Sequence, residues 1–313
     1  MKIAILEDYQ NVVKDLRCFQ LLSGHEVTVF TEPGSESDWI ERLAGFDALV
    51  LIRERTKITE PMLAALPQLK VISQTGKAGP HLDADLCKAH GVTVLEGQGL
   101  PVSAAELCWA LLMSAMRHLP AYTHELRNNH WQQSGSLGLG RVLHGRTFGI
   151  WGYGRLGQRV AQFADAFGMP VLVWGSDASR ELAVQHGFAA ASSKTAFFAE
   201  ADIVSLHSRL SARSKSCVTA ADLQLMKPDS VLVNISRAEL IEPGALYREL
   251  CSVPTKQAAI DVFDTEPATT ENEPLLTLPN VTATPHLGYV EQGNYEGHFK
   301  NAFNNLLAFA RGE

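Results

Sequence analysis

The sequence predicts an α/β protein with two parallel-sheet units in one chain, and three observations carry that prediction. Short apolar runs recur along the chain and alternate with helix-length spacers, as βαβ units do. The runs fall into two series, separated near residue 100 by a strongly apolar helical pattern. The second series opens on a glycine-rich turn. At 313 residues, 46% apolar and 19% charged, the chain is globular and has room for one large domain or two ordinary ones.

The first series reads KIAIL, EVTVF, DALVLI, LKVISQT and GVTVL, five strands of a parallel sheet. LPVSAAELCWALLMSAMRHLP follows as a helix. Ser103 and Glu106 have the spacing of a capping box, and Pro120 is expected to end the pattern. From Leu107 to Met116 nearly every residue is apolar, which suits a helix buried on most sides between two packed domains. The polar stretch RNNHWQQSGSLGLGRVLHG reads as an irregular arm. A second series then runs RTFGIW, PVLVW, ADIVSLH, SVLVNIS, QAAIDVF and NVTATPH. The tail has helical spacing at Phe299, Phe303, Leu306 and Phe309, as if it returned to pack on the first unit.

Composition excludes several classes of function. The net charge of −7, with no run of five like charges, argues against a nucleic-acid or polybasic membrane-binding surface. Five scattered cysteines with no C-x-x-C point to a reducing compartment and to no metal site. The N-terminus MKIAILEDYQ is no signal peptide, and no apolar run approaches a membrane span, so a cytoplasmic protein is expected.

In FGIWGYGRLGQRV, Gly152, Gly154 and Gly157 fit G-x-G-x-x-G. At this glycine content roughly 0.14 such matches arise by chance, so context decides. A strand precedes it, and LGQRVAQFADAFG follows as a helix with Val160, Ala164 and Phe167 on one face and Gly168 as its stop. Glycines let the backbone approach a pyrophosphate, whose charge then meets the free N–H groups of the helix start. The alternative is a tight strand-to-helix turn without a ligand.

With this fingerprint mid-chain, and with ADIVSLH, LMKPDSVLVNISRAELI, AAIDVFDTEP and LPNVTATPHLG after it, nearly the whole chain resembles the D-isomer-specific 2-hydroxyacid dehydrogenase family. The resemblance implies two Rossmann-like domains. One is a flavodoxin-like catalytic domain, 1–99 plus 290–313. The other is a doubly wound dinucleotide domain, 100–289. Substrate is then expected in the cleft between them.

Three residues carry the expected chemistry. Arg237 follows an apolar strand, at the sheet edge where such folds bind ligands, and its planar fork suits a carboxylate. His286, after Pro285, is a residue type suited to giving a carbonyl oxygen a proton. Glu266 supplies a carboxylate that can keep an imidazolium charged and oriented. Taken singly, each also reads as a structural residue: an Arg capping a carboxylate, a core His, an acid in a solvated turn. By resemblance His286 is the acid/base, Glu266 its partner, and Arg237 the carboxylate anchor and carbonyl polariser.

The resemblance implies further roles. Thr75, Gly76, Lys77, Ala78 and Gly79 match the loop whose amides hold the substrate carboxylate. Its reading GKAGPHLD departs from the family's G-x-G-x-D-N-x-D, which bears on substrate identity. Lys77 is an added cation there, either at substrate or on the surface. Asp261 matches the acid that contacts the nicotinamide carboxamide. The cofactor set is completed by Gly152, Tyr153, Gly154, Arg155, Leu156, Gly157, Ser176, Asp177, His207 and Ser236. Where relatives place a ribose-binding Asp, this chain has Gly175, with Asp177 and Arg180 just beyond. A missing acid admits NADP and Arg180 favours it, whereas Asp177 opposes it; the balance tips toward NAD.

The reading is therefore an NAD(P)-dependent D-2-hydroxyacid dehydrogenase acting on a small 2-keto acid, dimeric through its cofactor domain. No C-terminal regulatory extension, and hence no serine feedback, is expected. The rival from another class is a dinucleotide-sensing, corepressor-like binding protein on the same architecture. Formate or phosphite oxidation is a closer alternative, without specific support in the cleft loop.

Overall fold

The computed structural model describes residues 1–313. The chain divides into two compact units, Met1–Leu100 with Glu291–Glu313, and Pro101–Val290.

In the first unit β1 (Lys2–Ile5), β2 (Glu26–Val29), β3 (Ala48–Leu51), β4 (Val71–Gln74) and β5 (Thr93–Glu96) pair in parallel in the order β2-β1-β3-β4-β5. This is the flavodoxin-like order. β3 and β4 are buried along their whole length, which is why they read as unbroken apolar runs rather than as an alternation. Trp39, Leu43, Phe46, Met62 and Leu63 cover one face over Leu49, Leu51 and Ile72. The tail forms the helix Gln292–Arg311, which buries Phe299, Phe303 and Leu306, and Ser73 of β4 donates to the Ala302 carbonyl at 2.9 Å. Truncating a buried Phe of this kind costs about 3–5 kcal/mol.

The second unit holds β6 (Phe148–Trp151), β7 (Val171–Trp174), β8 (Ala189–Ala190), β9 (Ile203–Leu206), β10 (Val231–Asn234), β11 (Gln257–Ile260) and β12 (Val281–Ala283). Their order is β12-β11-β10-β9-β6-β7-β8, all parallel, so strand order reverses between β6 and β9. Alternate residues of each strand face opposite layers. Phe148, Ile150, Val231 and Val233 pack with the helices Val102–Met116 and Arg155–Ala166, while Val204, Leu206 and Leu232 pack with Phe197, Phe198, Leu223 and Leu246. The sheet is thus doubly wound.

Three local expectations fail. Ser103 makes no capping box: the helix starts at Val102 behind Pro101, and the Ser103 hydroxyl donates instead to the Gly288 carbonyl at 2.9 Å. Pro120 does not end that helix, which stops at Met116 with His118 in the left-handed conformation at φ +52°. Pro120 lies in the first turn of a further helix, Leu119–Arg127, a position a proline tolerates because no N–H is needed there. Phe167 is 42% exposed, resting edge-on against Trp109 with ring centroids 4.9 Å apart. The two-residue β8 went unforeseen because AA carries no strand signal.

Candidate active site

The glycine turn joins β6 to the helix Arg155–Ala166. Gly152 sits at φ +101°, and a Cβ there would lie 2.9 Å from the His207 carbonyl group. A Cβ on Gly157 would lie 2.2 Å from the Gly152 oxygen, so the helix can start only where that residue is glycine. Gly154 differs: a Cβ on it would meet nothing within 4 Å. The turn is therefore closed on its protein side and open at Gly154, the shape a pyrophosphate requires. Arg155 opens the helix and is exposed, whereas Leu156 packs into the core beneath it. The Tyr153 side chain is buried, its hydroxyl 3.1 Å from His186 Nδ1, so only its backbone faces the turn.

After β7, Gly175 has φ +152°, a backbone conformation that L side chains rarely adopt. Any L side chain at this strand end would be strained. Ser176 caps the helix Asp177–Gln185 by accepting from Ser179 N–H, and Asp177 bonds to Arg180.

His207 follows β9. Its Nε2 lies 2.8 Å from the Ser205 hydroxyl, while its buried Nδ1 has no partner in the chain. Burial pulls its pKa down to about 4, so the ring is neutral at physiological pH. An orphaned donor or acceptor beside Gly152 fits a site completed by a polar ligand. Ser236, after β10, ties the strand ends together by donating to the Leu206 carbonyl at 2.7 Å. Next to it, the Arg237 guanidinium donates to the Ser236 carbonyl at 2.5 Å.

The structure brings Glu266 and His286 together. His286 lies three residues beyond β12 at φ +54°, a left-handed position that His tolerates better than most residues. Its Nδ1 is 2.7 Å from Glu266 Oε2, and Glu266 Oε1 accepts from Phe263 N–H at 3.1 Å. A backbone amide thus aims the carboxylate, and the carboxylate aims the ring. Tyr289 adds an edge-on contact with the imidazole at 5.4 Å, one that motif reading did not anticipate. β10, β11 and β12 are neighbours, so the loops carrying Arg237, Glu266 and His286 lie side by side at one sheet edge.

Asp261, directly after β11, is fully buried. It accepts from Thr284 Oγ1 at 2.6 Å, Leu287 N–H at 2.7 Å and Gly288 N–H at 2.8 Å. Burial raises its pKa, against the pull of these bonds and of the nearby His286. In its own chain Asp261 clamps the turn that presents His286.

In the first unit the loop Thr75–Gly79 follows β4. Arg53 N–H donates to Thr75 Oγ1 at 3.0 Å, and a Cβ on Gly76 would fall 2.0 Å from the Arg53 guanidinium. Lys77 pairs with Glu96 at 2.7 Å, and Ala78 N–H donates to the same carboxylate at 2.8 Å. A Cβ on Gly79 would lie 3.4 Å from both Glu54 and His81. Arg53 was missed from sequence, although its signal matches that of Arg237: an arginine shortly after a wholly apolar strand.

A family model described as the D-isomer specific 2-hydroxyacid dehydrogenase, NAD binding domain, matches residues 109–288. The chain is 32% identical over 255 residues to the D-3-phosphoglycerate dehydrogenase of Methanocaldococcus jannaschii, covering 81% of this chain and 48% of that one, about half its length. It is 31% identical over 277 residues to the hydroxypyruvate reductase of Thermotoga maritima, covering 88% of each. Among solved structures, a phosphoglycerate oxidoreductase from Vibrio cholerae is 59% identical, with a TM-score of 0.99 and full coverage of both chains. No helix is long and apolar enough to cross a membrane.

Proposed function

The chain belongs to the D-isomer-specific 2-hydroxyacid dehydrogenase family, and on that premise we propose that it reduces a small 2-keto acid to the D-2-hydroxy acid with a nicotinamide dinucleotide. The observation that carries this reading is the His286–Glu266 pair at 2.7 Å, on the same sheet edge as the glycine turn.

Gly152–Gly157, with Arg155, Ser176, Asp177, His207, Ser236 and Asp261, would hold the dinucleotide, which would supply the hydride when bound. The chain supplies the rest. Nδ1 of His286 is engaged by Glu266, which leaves Nε2 to deliver a proton to the carbonyl oxygen. The Glu266 carboxylate offsets the imidazolium charge before transfer. Arg237 anchors the substrate carboxylate and polarises the carbonyl, an interaction of roughly 1.5–3 kcal/mol. In the first unit, amides of the Thr75–Gly79 loop are candidate donors to a substrate carboxylate. Because Ala78 N–H is committed to Glu96, that work falls to its neighbours.

Homodimerisation and a cytoplasmic location belong to the same proposal. Leu119, Leu126, Trp131 at 75% exposure, Leu139 at 88% and Val142 leave one stretch of the second unit unusually apolar at its surface, as an interface requires. Light scattering should give twice the chain mass of 34.2 kDa.

The deciding experiment follows NADH and NADPH absorbance in parallel with glyoxylate, hydroxypyruvate, pyruvate, phenylpyruvate and 3-phosphohydroxypyruvate. Turnover with at least one is expected. Tight dinucleotide binding without turnover across a broad panel would replace the reductase with a sensing protein.

A further inference from the structure

Resting on the substrate loop proposed above, we infer that Glu96 is an internal stand-in for the substrate carboxylate. On binding, the substrate takes its place on Lys77 and Ala78. The loop already holds one carboxylate, the chain's own. Glu96 Oε1 accepts from Ala78 N–H at 2.8 Å, and Glu96 Oε2 accepts from Lys77 Nζ at 2.7 Å. One amide and one ammonium thus grip both oxygens of a single carboxylate, a charge-assisted pairing equally open to a 2-keto acid. The bond from Lys77 first, and the Ala78 amide second, hold the Glu96 carboxyl below the usual carboxylate range. It is therefore charged, as a substrate carboxylate is.

The grip on Glu96 is weak enough to exchange. Side-chain exposure is 38% for Glu96 and 70% for Lys77, and water screens an ion pair so exposed. The backbone of Glu96 need not move. It pairs with Gln74 in the sheet, and its carbonyl accepts from Asn305 Nδ2 at 3.2 Å. Rotation of the side chain alone frees both donors. Nor does the loop depend on Glu96 for its shape. Thr75 N–H donates to the Leu51 carbonyl at 3.0 Å, Gly97 N–H to the Gly76 carbonyl at 2.9 Å, and Leu82 N–H to the Gly79 carbonyl at 3.0 Å. Arg53 N–H adds a bond to Thr75 Oγ1 at 3.0 Å. A loop braced at both ends by backbone bonds has no structural need of an exposed ion pair at its middle. While Glu96 is in place, only the neighbouring amides are available to a substrate. When it swings out, Ala78 N–H and the Lys77 ammonium join them.

The test is calorimetric titration of oxamate, an unreactive carboxylate of 2-keto acid shape, into the chain saturated with NADH or NADPH. Glu96→Gln should bind oxamate at least threefold tighter, because the competing charge is gone. Glu96→Asp should also bind it at least threefold tighter, because the shorter side chain cannot span both donors. Lys77→Gln should bind it at least threefold more weakly. KM for any keto acid turned over should move the same way in each variant, with dinucleotide affinity within twofold of the native chain. Damage to the fold cannot produce a gain in affinity. Weaker oxamate binding in both Glu96 variants would make the pair a brace for the loop and overturn the proposal. Tightening in Glu96→Gln without tightening in Glu96→Asp reduces the effect to charge repulsion, and overturns it too. Unchanged affinity in Lys77→Gln overturns the transfer of the lysine to the substrate. Neither oxamate binding nor turnover across the keto-acid panel in the native chain overturns the reductase itself, and this inference with it.

Discussion

His286 Nδ1 stands 2.7 Å from Glu266 Oε2, and the opposite oxygen of that carboxylate is held by Phe263 N–H. The pair is therefore oriented from the backbone outward, with the charge of Glu266 fixed against one ring nitrogen while the other is left for chemistry. Glu266→Gln keeps the shape and a hydrogen-bonding oxygen but removes the charge. A charge-assisted bond of roughly 1.5–3 kcal/mol corresponds to about a ten- to hundredfold loss of turnover. Steady-state kinetics should show that loss in kcat, with dinucleotide affinity from direct titration unchanged. Turnover within twofold of the native chain removes Glu266 from the mechanism.

Arg237 and His286 should separate kinetically. On the proposed roles, His286→Ala removes the proton donor and should lower kcat by at least a hundredfold while KM moves little. Arg237→Ala, on the same proposal, removes a substrate contact as well as a polarising charge, so KM for the keto acid should rise together with the fall in kcat. Parallel measurement of both parameters checks this. Native-like kinetics in either variant withdraws the role of that residue.

Most of the sheet architecture was legible because its cause is local: a strand buried on both faces must be a short apolar run, and the central strands β3, β4, β9 and β10 are such runs. The tail helix was legible through the spacing of Phe299, Phe303 and Leu306. Helix ends were not. Ser103 has the right neighbour for a capping box, but the helix starts one residue earlier behind Pro101, and the Ser103 hydroxyl, now inside the first turn, donates to the Gly288 carbonyl 185 residues away. In the candidate site, residue types and the strands before them made Arg237, Glu266 and His286 candidates, and only the family resemblance singled them out from structural residues of the same kinds. Long-range contacts were invisible: the Asp261 clamp on the His286 turn, the edge of Tyr289 on the ring, and the guanidinium of Arg53 across Gly76.

Two glycines of the turn should both lose dinucleotide affinity on the same substitution but differ in what it costs the fold. Gly157→Ala forces a methyl group to 2.2 Å from the Gly152 oxygen, so the turn must open, and both thermal stability and dinucleotide binding should fall. Gly154→Ala meets no atom of the chain within 4 Å and sits at φ −80°, so its stability cost should stay within about 1 kcal/mol. A pyrophosphate seated on the open side would meet that methyl group, and dinucleotide affinity should drop at least tenfold. Melting curves and titrations of both variants decide it. Unchanged affinity in Gly154→Ala would place the ligand elsewhere.

Stability should fall on mild acidification, and His298 in the tail helix is a main cause. Burial first, and the positive charge of Arg53 second, pull its pKa down to about 4. Its unfolded value is about 6.5. The native state therefore lacks a proton that the unfolded chain binds between those values. The stability from this group is complete above pH 6.5 and is lost as pH falls toward 4. Between pH 7.5 and pH 5 the loss is about 2 kcal/mol. His207, also near 4 through burial, adds a slope of the same sign. Asp8 and Asp261, whose pKa values burial raises, act oppositely: their contribution is largest at low pH and is lost as pH rises through their folded values. Comparing urea unfolding of the native chain and His298→Gln at pH 7.5 and pH 5 isolates one group, because the other three are common to both proteins. The variant should lose about 2 kcal/mol less than the native chain across that interval. Equal losses in the two proteins would mean that His298 is protonated in the folded state, and that the space beside Gly99, whose Cβ would lie 2.8 Å from His298 Nε2, accommodates a charge.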